Sequence, residues 1–310
     1  MGFKGVPMRF LCAVVALVVP AGLVAGCGGK GGGSSSVQKE KPPAKFQITA
    51  TGSKDDLQFK PPQKTEPGPV EITFTNNAKT ETDAQLIQVQ GNREDAEIVA
   101  MLSEAVEGHA VASWFKAAGG VGTLEPGENG KAKQILDVGT YYVVGGDDPP
   151  KGPLAKFTVG MPQASSSSSS SSGSSSSSSS SLYDLPKDLK VPAKIIATDY
   201  AFSGQNVRAG QPVEFRNEGK EWHHFIGGKV KGDATIEEIK KALESDEDEA
   251  QKLVNLRDGF ETTVIDAGLS QVAEPNLEEG RYVFFCFVAD RGGGPPHVAK
   301  GMVSEIKVTE

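Results

Sequence analysis

Side chains that bind soft metal ions are concentrated in the last third of the sequence. Three of the four histidines, His223, His224 and His297, occur there together with Cys286 and Met302. Two imidazoles and a thiolate in a trigonal plane, with a weak axial thioether, form the ligand set of blue copper electron-transfer sites. Because thiolate and thioether are soft ligands, these residue types predict copper as the cofactor, ahead of zinc.

Cys286 carries much of this prediction. The other two cysteines, Cys12 and Cys27, lie in the N-terminal leader region, so Cys286 has no partner for an internal disulfide. A free thiol in an oxidising compartment is open to oxidation unless it is buried or bound to a metal. A role as a small buried hydrophobic residue is the alternative. We favour metal ligation because all four ligand residues, two histidines, a cysteine and a methionine, occur together in order.

The adjacent histidines require a choice between them. On a strand, successive side chains point to opposite faces, so only one of the two can face the metal. We assign His223, which shares its strand phase with Phe225, and keep His224 as the alternate because a β-bulge would reverse the choice. The remaining ligands follow in order, with Cys286 ending an aromatic strand and His297 and Met302 in the next loop.

Three segments of this region resemble the plastocyanin-like cupredoxins, particularly the small membrane-tethered ones. They are residues 217–225, 278–286 and 296–302. The resemblance implies a Greek-key β-sandwich in which His223, Cys286 and His297 are equatorial copper ligands and Met302 is the axial ligand. The four residues between His297 and Met302 match the plastocyanin pattern.

The interval between Cys286 and His297 departs from that pattern. Ten residues, 287–296, separate them where plastocyanins have two, and the segment is rich in Gly and Pro. We interpret it as a loop that returns His297 to the metal. Its length favours one alternative, a copper-binding or delivery protein without a redox role. A metal-free cell-surface β-sandwich that acts as a binding module is a further alternative.

The elements that must position these residues are mostly short strands. Alternating β-branched and aromatic runs at 70–75 and 212–216 are typical of half-buried strands. Later strands are expected at 139–144, 155–159, 280–287 and 303–308, and a helical insert is expected at 235–243. This pattern predicts an all-β chain of two tandem cupredoxin-like Greek-key β-sandwiches, each with a short helical insert.

The two predicted sandwiches look like copies of each other at an offset of 141 residues. Phe74 matches Phe215, and Asn76 matches Asn217. The first copy lacks the ligands, since Thr82 and Asp83 stand at the positions of the two histidines and Gly145 at that of Cys286. We therefore expect a degenerate first domain without metal.

The N-terminus resembles a bacterial lipoprotein leader. Lys4 and Arg9 precede an apolar run at 10–24, which is too short to span a bilayer, and small residues lead to Cys27. We expect lipidation at Cys27. The predicted organisation is a signal peptide at 1–26, a flexible tether at 27–43, the degenerate domain at 44–160, a Ser-rich linker at 161–184 and the copper domain at 185–310.

Charge and composition limit the function classes. Cleavage before Cys27 removes two basic residues and no acidic one, so the net charge of −8 becomes −10 and nucleic acid is excluded as a partner. No catalytic set is recognisable, which predicts that the chain is not an enzyme. The expected protein is a one-electron carrier with redox partner proteins, anchored by lipid outside the cytoplasm, whose linkers let the copper site swing between partners.

Overall fold

The computed structural model of the protein describes residues 42–146, 149–150, 154–161, 191–245 and 247–310. The predicted signal peptide, the lipidation residue Cys27, and nearly all of the tether and the Ser-rich linker lie outside the described residues. Among the helices of the described ranges, none combines the length and the apolar character needed to span a membrane.

The first sandwich contains nine strands and one helix within the described part of the chain. They are β1 Ala44–Thr51, β2 Gln58–Lys60, β3 Lys64–Thr65, β4 Gly68–Asn76, β5 Thr82–Val89, α1 Asp95–Val106, β6 Phe115–Leu124, β7 Asn129–Leu136, β8 Gly139–Val144 and β9 Ala155–Val159. Every second residue of β4 is buried, as expected for a strand with one face on a core. Phe46, Ile72, Phe74 and Phe157 are central to that core.

The second sandwich contains eight strands and two helices, again counting described residues. They are β10 Lys194–Thr198, β11 Ala201–Gln205, β12 Val213–Asn217, β13 Ile226–Val230, α2 Ile236–Ser245, α3 Glu247–Leu253, β14 Val254–Glu261, β15 Ser270–Ala273, β16 Gly280–Phe285 and β17 Val303–Val308. Phe215, Phe225, Phe284, Cys286 and Met302 belong to its core. The all-β prediction with tandem sandwiches is confirmed.

One sheet runs through both sandwiches. Its strand order is β11-β10-β12-β15-β7-β4-β1-β2, and the junction is the antiparallel pair β15 and β7, where Gln271 faces Gln134. Separate sheets, β3-β9-β8-β5-β6 and β14-β13-β16-β17, cover the two halves. The sandwiches therefore pack as one body. The expectation that the linkers let the copper site swing between partners is therefore corrected for the Ser-rich linker, because the shared sheet joins the copper site to the first sandwich.

Each helical insert lies between two strands of a covering sheet. Helix α1 stands between β5 and β6, while α2 and α3 stand between β13 and β14. The start of α2 has a local cause: Thr235 Oγ1 accepts from the Glu238 N–H at 3.2 Å, and Glu238 Oε2 accepts from the Thr235 N–H at 2.9 Å. This reciprocal pair satisfies two amides that the helix itself leaves unbonded.

Two strand boundaries near the predicted site differ from expectation. β16 ends at Phe285 rather than at 287, so Cys286 is the first residue after the strand. β13 begins at Ile226, and His223 forms an isolated bridge with Ile265 instead of lying on a strand. Both predicted ligands thus lie just outside the regular strands, at one end of the sandwich.

Candidate metal centre

Strand pairing brings the predicted ligands to one end of the second sandwich. β13 and β16 are antiparallel neighbours, with Ile226 opposite Phe285. The residues just before β13 and just after β16 therefore lie side by side, and these include His223 and Cys286. His297 begins a short 3-10 helix that precedes β17.

Backbone hydrogen bonds close the loop between Cys286 and His297. The His297 N–H donates to Val288 O at 2.9 Å, and the Val298 N–H donates to Cys286 O at 2.7 Å. The loop leaves and returns at the same point of the sandwich. His297 is thus placed beside Cys286 despite the long interval in sequence.

The ligand atoms of His223, Cys286 and His297 lie within 4.8 Å of one another. Cys286 Sγ is 3.6 Å from His223 Nδ1 and 3.4 Å from His297 Nδ1, and the two Nδ1 atoms are 3.0 Å apart. Metal–ligand lengths of about 2.0–2.3 Å in a trigonal plane correspond to separations of roughly 3.5–3.8 Å. The triangle is tighter than this by about 0.5 Å at most, so its size fits one small metal ion.

The surroundings of the two imidazoles leave the lone pair of each Nδ1 atom directed into this triangle. His297 Nε2 lies 2.9 Å from Asp290 Oδ1, which places the ring proton on Nε2 and leaves a lone pair on Nδ1. His223 Nε2 is buried without a hydrogen-bond partner among the described residues, and Asp199 Oδ1 at 3.8 Å favours the proton on that nitrogen. The lone pairs of His223 Nδ1 and His297 Nδ1 therefore converge with Cys286 Sγ, and the thiol of Cys286 carries the one proton in this group. Such a donor set suits a copper ion.

Burial keeps all three ligands neutral at physiological pH. Burial, together with the neighbouring His297, lowers the pKa of His223 to about 4. Burial also lowers the pKa of His297, against the effect of Asp290, and it raises the pKa of Cys286 to about 12. The imidazoles are ready to bind a cation, whereas the thiol must lose its proton when the metal binds.

A carboxylate outside the ligand set orients His297. Asp290 Oδ1 accepts from His297 Nε2 and, at 3.0 Å, from the Tyr200 hydroxyl, while Oδ2 pairs with Lys300 Nζ. These hydrogen bonds, with Lys300 foremost, lower the pKa of Asp290 although burial opposes them. A carboxylate on the far nitrogen of a ligating imidazole fixes its tautomer and raises its basicity.

Sequence reasoning missed Asp290, Tyr200 and Lys300. Asp290 lies between two predicted ligands, and an acidic residue in that interval is the one signal that the sequence offers. Tyr200 comes from the turn between β10 and β11, and its ring packs edge-on against His297 with centroids 5.4 Å apart. Its place at the site depends on tertiary packing, which has no local sequence pattern.

Met302 and His224 occupy different positions relative to the triangle. Met302 is fully buried in the same core cluster as Cys286, and its N–H donates to His297 O at 3.0 Å. His224 lies outside the group, since its Nε2 accepts from the Phe287 N–H at 2.7 Å. The structure therefore brings His223, rather than His224, to the other two ligands.

The corresponding end of the first sandwich is filled. Asp83 Oδ1 accepts from the Gly146 N–H at 2.9 Å. A Cβ atom at Gly145 would lie 2.2 Å from Asp83 O and 2.8 Å from Phe59 Cζ. A cysteine would therefore not fit at Gly145 without displacing the backbone.

Comparisons with known proteins find similarity in structure only. No family model matches the sequence, and no curated protein matches it. Reduced auracyanin from Roseiflexus castenholzii is 20% identical, over 38% of this chain and 95% of that chain, with a TM-score of 0.24. Auracyanin A, a "blue" copper protein from Chloroflexus aurantiacus, is 20% identical, over 37% and 96%, with a TM-score of 0.23. A multicopper oxidase is 11% identical, over 90% and 93%, with a TM-score of 0.23.

These neighbours correct the prediction that the chain is not an enzyme. Other multicopper oxidases and a copper-containing nitrite reductase from Thermus scotoductus, which are enzymes, also stand among them. The prediction relied on the lack of a recognisable catalytic set of side chains. Enzymes whose reactivity comes from a bound metal need no such set, because the metal carries the chemistry.

Proposed function

We propose that this chain is a cupredoxin-type copper protein that transfers one electron at a time. The proposal depends on one observation, the buried triangle formed by His223 Nδ1, Cys286 Sγ and His297 Nδ1. Bound copper supplies a one-electron couple between Cu(I) and Cu(II). Met302, buried in the same core, would supply a weak thioether ligand that tunes the potential.

The surrounding residues favour rapid electron transfer by keeping the site dry and fixed. His223, Cys286, His297 and Met302 are all fully buried. His297 is fixed from outside by Asp290, and the backbone of His223 is bonded in both directions to Ile265. Because the ligands are held in place and shielded from solvent, neither the side chains nor the surrounding water need to rearrange much when the charge of the site changes.

A copper titration of the soluble chain beginning at Gly28 tests this function. We expect one copper per chain, an intense visible thiolate-to-copper band, and loss and recovery of that band on reduction and reoxidation. Met302→Ala should shift the reduction potential while copper is retained, because a weak thioether ligand would tune the potential rather than hold the metal.

The alternatives from the sequence give different results in the same titration. Tight binding without the visible band would favour a copper-delivery protein and would contradict electron transfer. No binding at all would leave a metal-free binding module as the better description.

We infer that the protein is extracytoplasmic and held at the membrane by a lipid on Cys27. The inference is supported by Lys4, Arg9, the apolar run at 10–24 and the small residues before Cys27. Redox proteins at the same membrane surface are the proposed partners. Incorporation of labelled fatty acid, and its loss in Cys27→Ser, is the expected result; an unlabelled wild-type protein would contradict the anchor.

We also infer that the two sandwiches arose by duplication. Asn76 and Asn217 each bind two backbone carbonyls and one backbone amide. Corresponding partners of the two asparagines are 141 residues apart in the sequence. The three pairs are Thr80 and Glu221, Leu124 and Ile265, and Ala78 and Gly219. A shared hydrogen-bond pattern at a constant offset supports a common origin, with the metal ligands confined to the second copy.

A further inference from the structure

The loop between Cys286 and His297 lies against the first sandwich. We call residues 287–296 the copper-site loop. The Val111 N–H donates to Arg291 O at 2.8 Å, and the Gly294 N–H donates to Gly108 O at 3.0 Å. Two backbone hydrogen bonds thus join the loop to the segment that follows helix α1 of the other sandwich.

Arg291 strengthens this junction with its side chain. Its Nη2 donates to Ala112 O at 3.0 Å and to Phe115 O at 2.7 Å, both in the first sandwich. Its Nη1 donates to Asp266 Oδ2 at 2.9 Å, and its backbone N–H donates to Glu221 Oε2 at 2.6 Å. One residue of the loop therefore binds both sandwiches at once.

The segment that carries His223 is held by the first sandwich as well. Trp222 is buried in a hydrophobic cluster whose other buried members all come from the first sandwich. Its Nε1 donates to Ala289 O at 2.6 Å, and the Arg291 guanidinium carbon lies 5.1 Å from the centre of its ring. The residue next to one ligand is thus tied to the loop that leads to another.

These contacts form a short chain from the first sandwich to the metal ligands. Arg291 is bonded to the first sandwich, its neighbour Asp290 is bonded to His297 Nε2, and Trp222 adjoins His223. A loop of plastocyanin length, with two residues between the ligands, would lack the residues that make these contacts.

From this arrangement we propose that the first sandwich is the structural support of the copper site and that Arg291 is a positioning residue, which holds Asp290 and through it the His297 ring. The proposal rests on the function proposed above. It accounts for two features together: the ten-residue loop reaches the first sandwich, and the first sandwich is retained without ligands of its own.

Substitution of Arg291 in the soluble chain tests the role from the loop side. In Arg291→Gln we expect copper still to bind, with about tenfold lower affinity, and with a shifted visible band and reduction potential. Arg281→Gln is the matched control, because Arg281 also binds a carboxylate and a carbonyl but does so at Glu305 and Ala234. Its band and potential should equal those of the wild type. Equal spectra and potentials for Arg291→Gln and the wild type would overturn the proposal.

A glycine pair tests the role from the side of the first sandwich. Gly108 and Gly127 both have positive φ, 73° and 89°, so an alanine strains the backbone similarly at either position. A Cβ at Gly108 would lie 3.3 Å from Gly294 O, whereas a Cβ at Gly127 meets nothing within 4 Å. Gly108→Ala should shift the copper band and Gly127→Ala should not. A shift in both or in neither would contradict the proposed support.

Amide hydrogen exchange of the metal-free protein separates this proposal from the proposed function. Arg291→Gln should speed exchange at Val111 and Gly294 by about tenfold or more, while Arg281→Gln leaves both unchanged. Unchanged exchange in Arg291→Gln would overturn the support role even if the wild type shows the blue band. Faster exchange in a protein that shows no blue band would leave the support intact and contradict only the copper function.

Discussion

The protons at the three ligands determine how the site responds to pH. His223 has its pKa lowered to about 4 and Cys286 has its pKa raised to about 12, both mainly by burial. Burial lowers the pKa of His297 as well, so at neutral pH both imidazoles are deprotonated, whereas the thiol is not. The binding of copper must therefore displace one proton, that of Cys286.

This gives a prediction for copper affinity. At pH 7 binding should release about one proton, so the apparent affinity should rise by about tenfold per pH unit between pH 6.5 and 9. Calorimetric titrations in two buffers of different ionisation enthalpy measure the number of protons released for each copper ion bound. Release of two or more protons would show that an imidazole is also protonated in the metal-free protein, against the stated order of pKa values.

Asp290 should lower the reduction potential of the site. Its carboxylate accepts from His297 Nε2, which makes the imidazole a better donor and favours the more highly charged Cu(II). Asp290→Asn should therefore raise the potential, by roughly 30–60 mV for a one-electron couple. Protein-film voltammetry measures the shift.

A control for this substitution lies on the same carboxylate. Tyr200→Phe removes one hydrogen bond to Asp290 Oδ1 but leaves the bond to His297. Its effect on the potential should be smaller than that of Asp290→Asn. An unchanged or lowered potential in Asp290→Asn would contradict the orienting role.

At the residue scale the ligands could be predicted from the sequence, but the residues that hydrogen-bond to the ligands could not. His223, Cys286, His297 and Met302 could be named because soft ligands are rare and occurred together in order. The contact of Asp290 with His297 depends on the path of the loop, for which the sequence shows only a run of Gly and Pro. Local patterns do not encode such contacts, because they form between distant segments.

Among the structural elements, the turn before β13 determines where His223 points. Asn217, at the end of β12, is fully buried, and its Nδ2 donates to Glu221 O at 2.8 Å and to Ile265 O at 3.0 Å. The His223 N–H donates to the same Ile265 carbonyl at 3.0 Å. One buried amide therefore joins the strand, the turn and the ligand segment.

The paired asparagines allow a controlled prediction. Asn217→Ala and Asn76→Ala should each lower the free energy of unfolding by about 2–3 kcal/mol, since each leaves buried polar groups unbonded. Only Asn217→Ala should also alter the copper spectrum. Chemical denaturation and visible spectroscopy on both variants measure the two effects. An altered spectrum in Asn76→Ala of the same size would contradict the local role of Asn217.

Strands were easier to predict than their ends. Alternating burial reveals a strand such as β4, but the last residue of a strand depends on where its partner stops pairing. β16 ends at Phe285 because its pairing with β13 and β17 ends there. The predicted strand at 280–287 was therefore too long by two residues, at the position of the ligand.

For the whole molecule, the decisive feature is the sheet shared by the two sandwiches. The pairing of β15 with β7, the contacts of Arg291 and the burial of Trp222 all join the two halves. None of these has a signal in the sequence, because strand pairing between copies has no fixed spacing. The polyserine segment suggested separate units instead.

Cleavage of the linker should therefore leave the copper protein intact. With a protease site introduced between 165 and 181, the two cleaved fragments should remain associated and keep the visible band, because burial and strand pairing hold them together. Size-exclusion chromatography of the cleaved copper protein measures this. If the fragments eluted separately and the C-terminal fragment kept the visible band, the two sandwiches would be shown to fold and bind copper independently of each other.

X-ray absorption at the copper edge tests the central claim most directly, because it reads the atoms bound to the metal. For the copper-loaded soluble chain we predict one short sulfur ligand and two nitrogen ligands. Cys286→Ser should remove the short sulfur and leave the nitrogens. A wild-type spectrum with nitrogen and oxygen ligands alone would contradict the assignment of Cys286, His223 and His297 as a blue copper site.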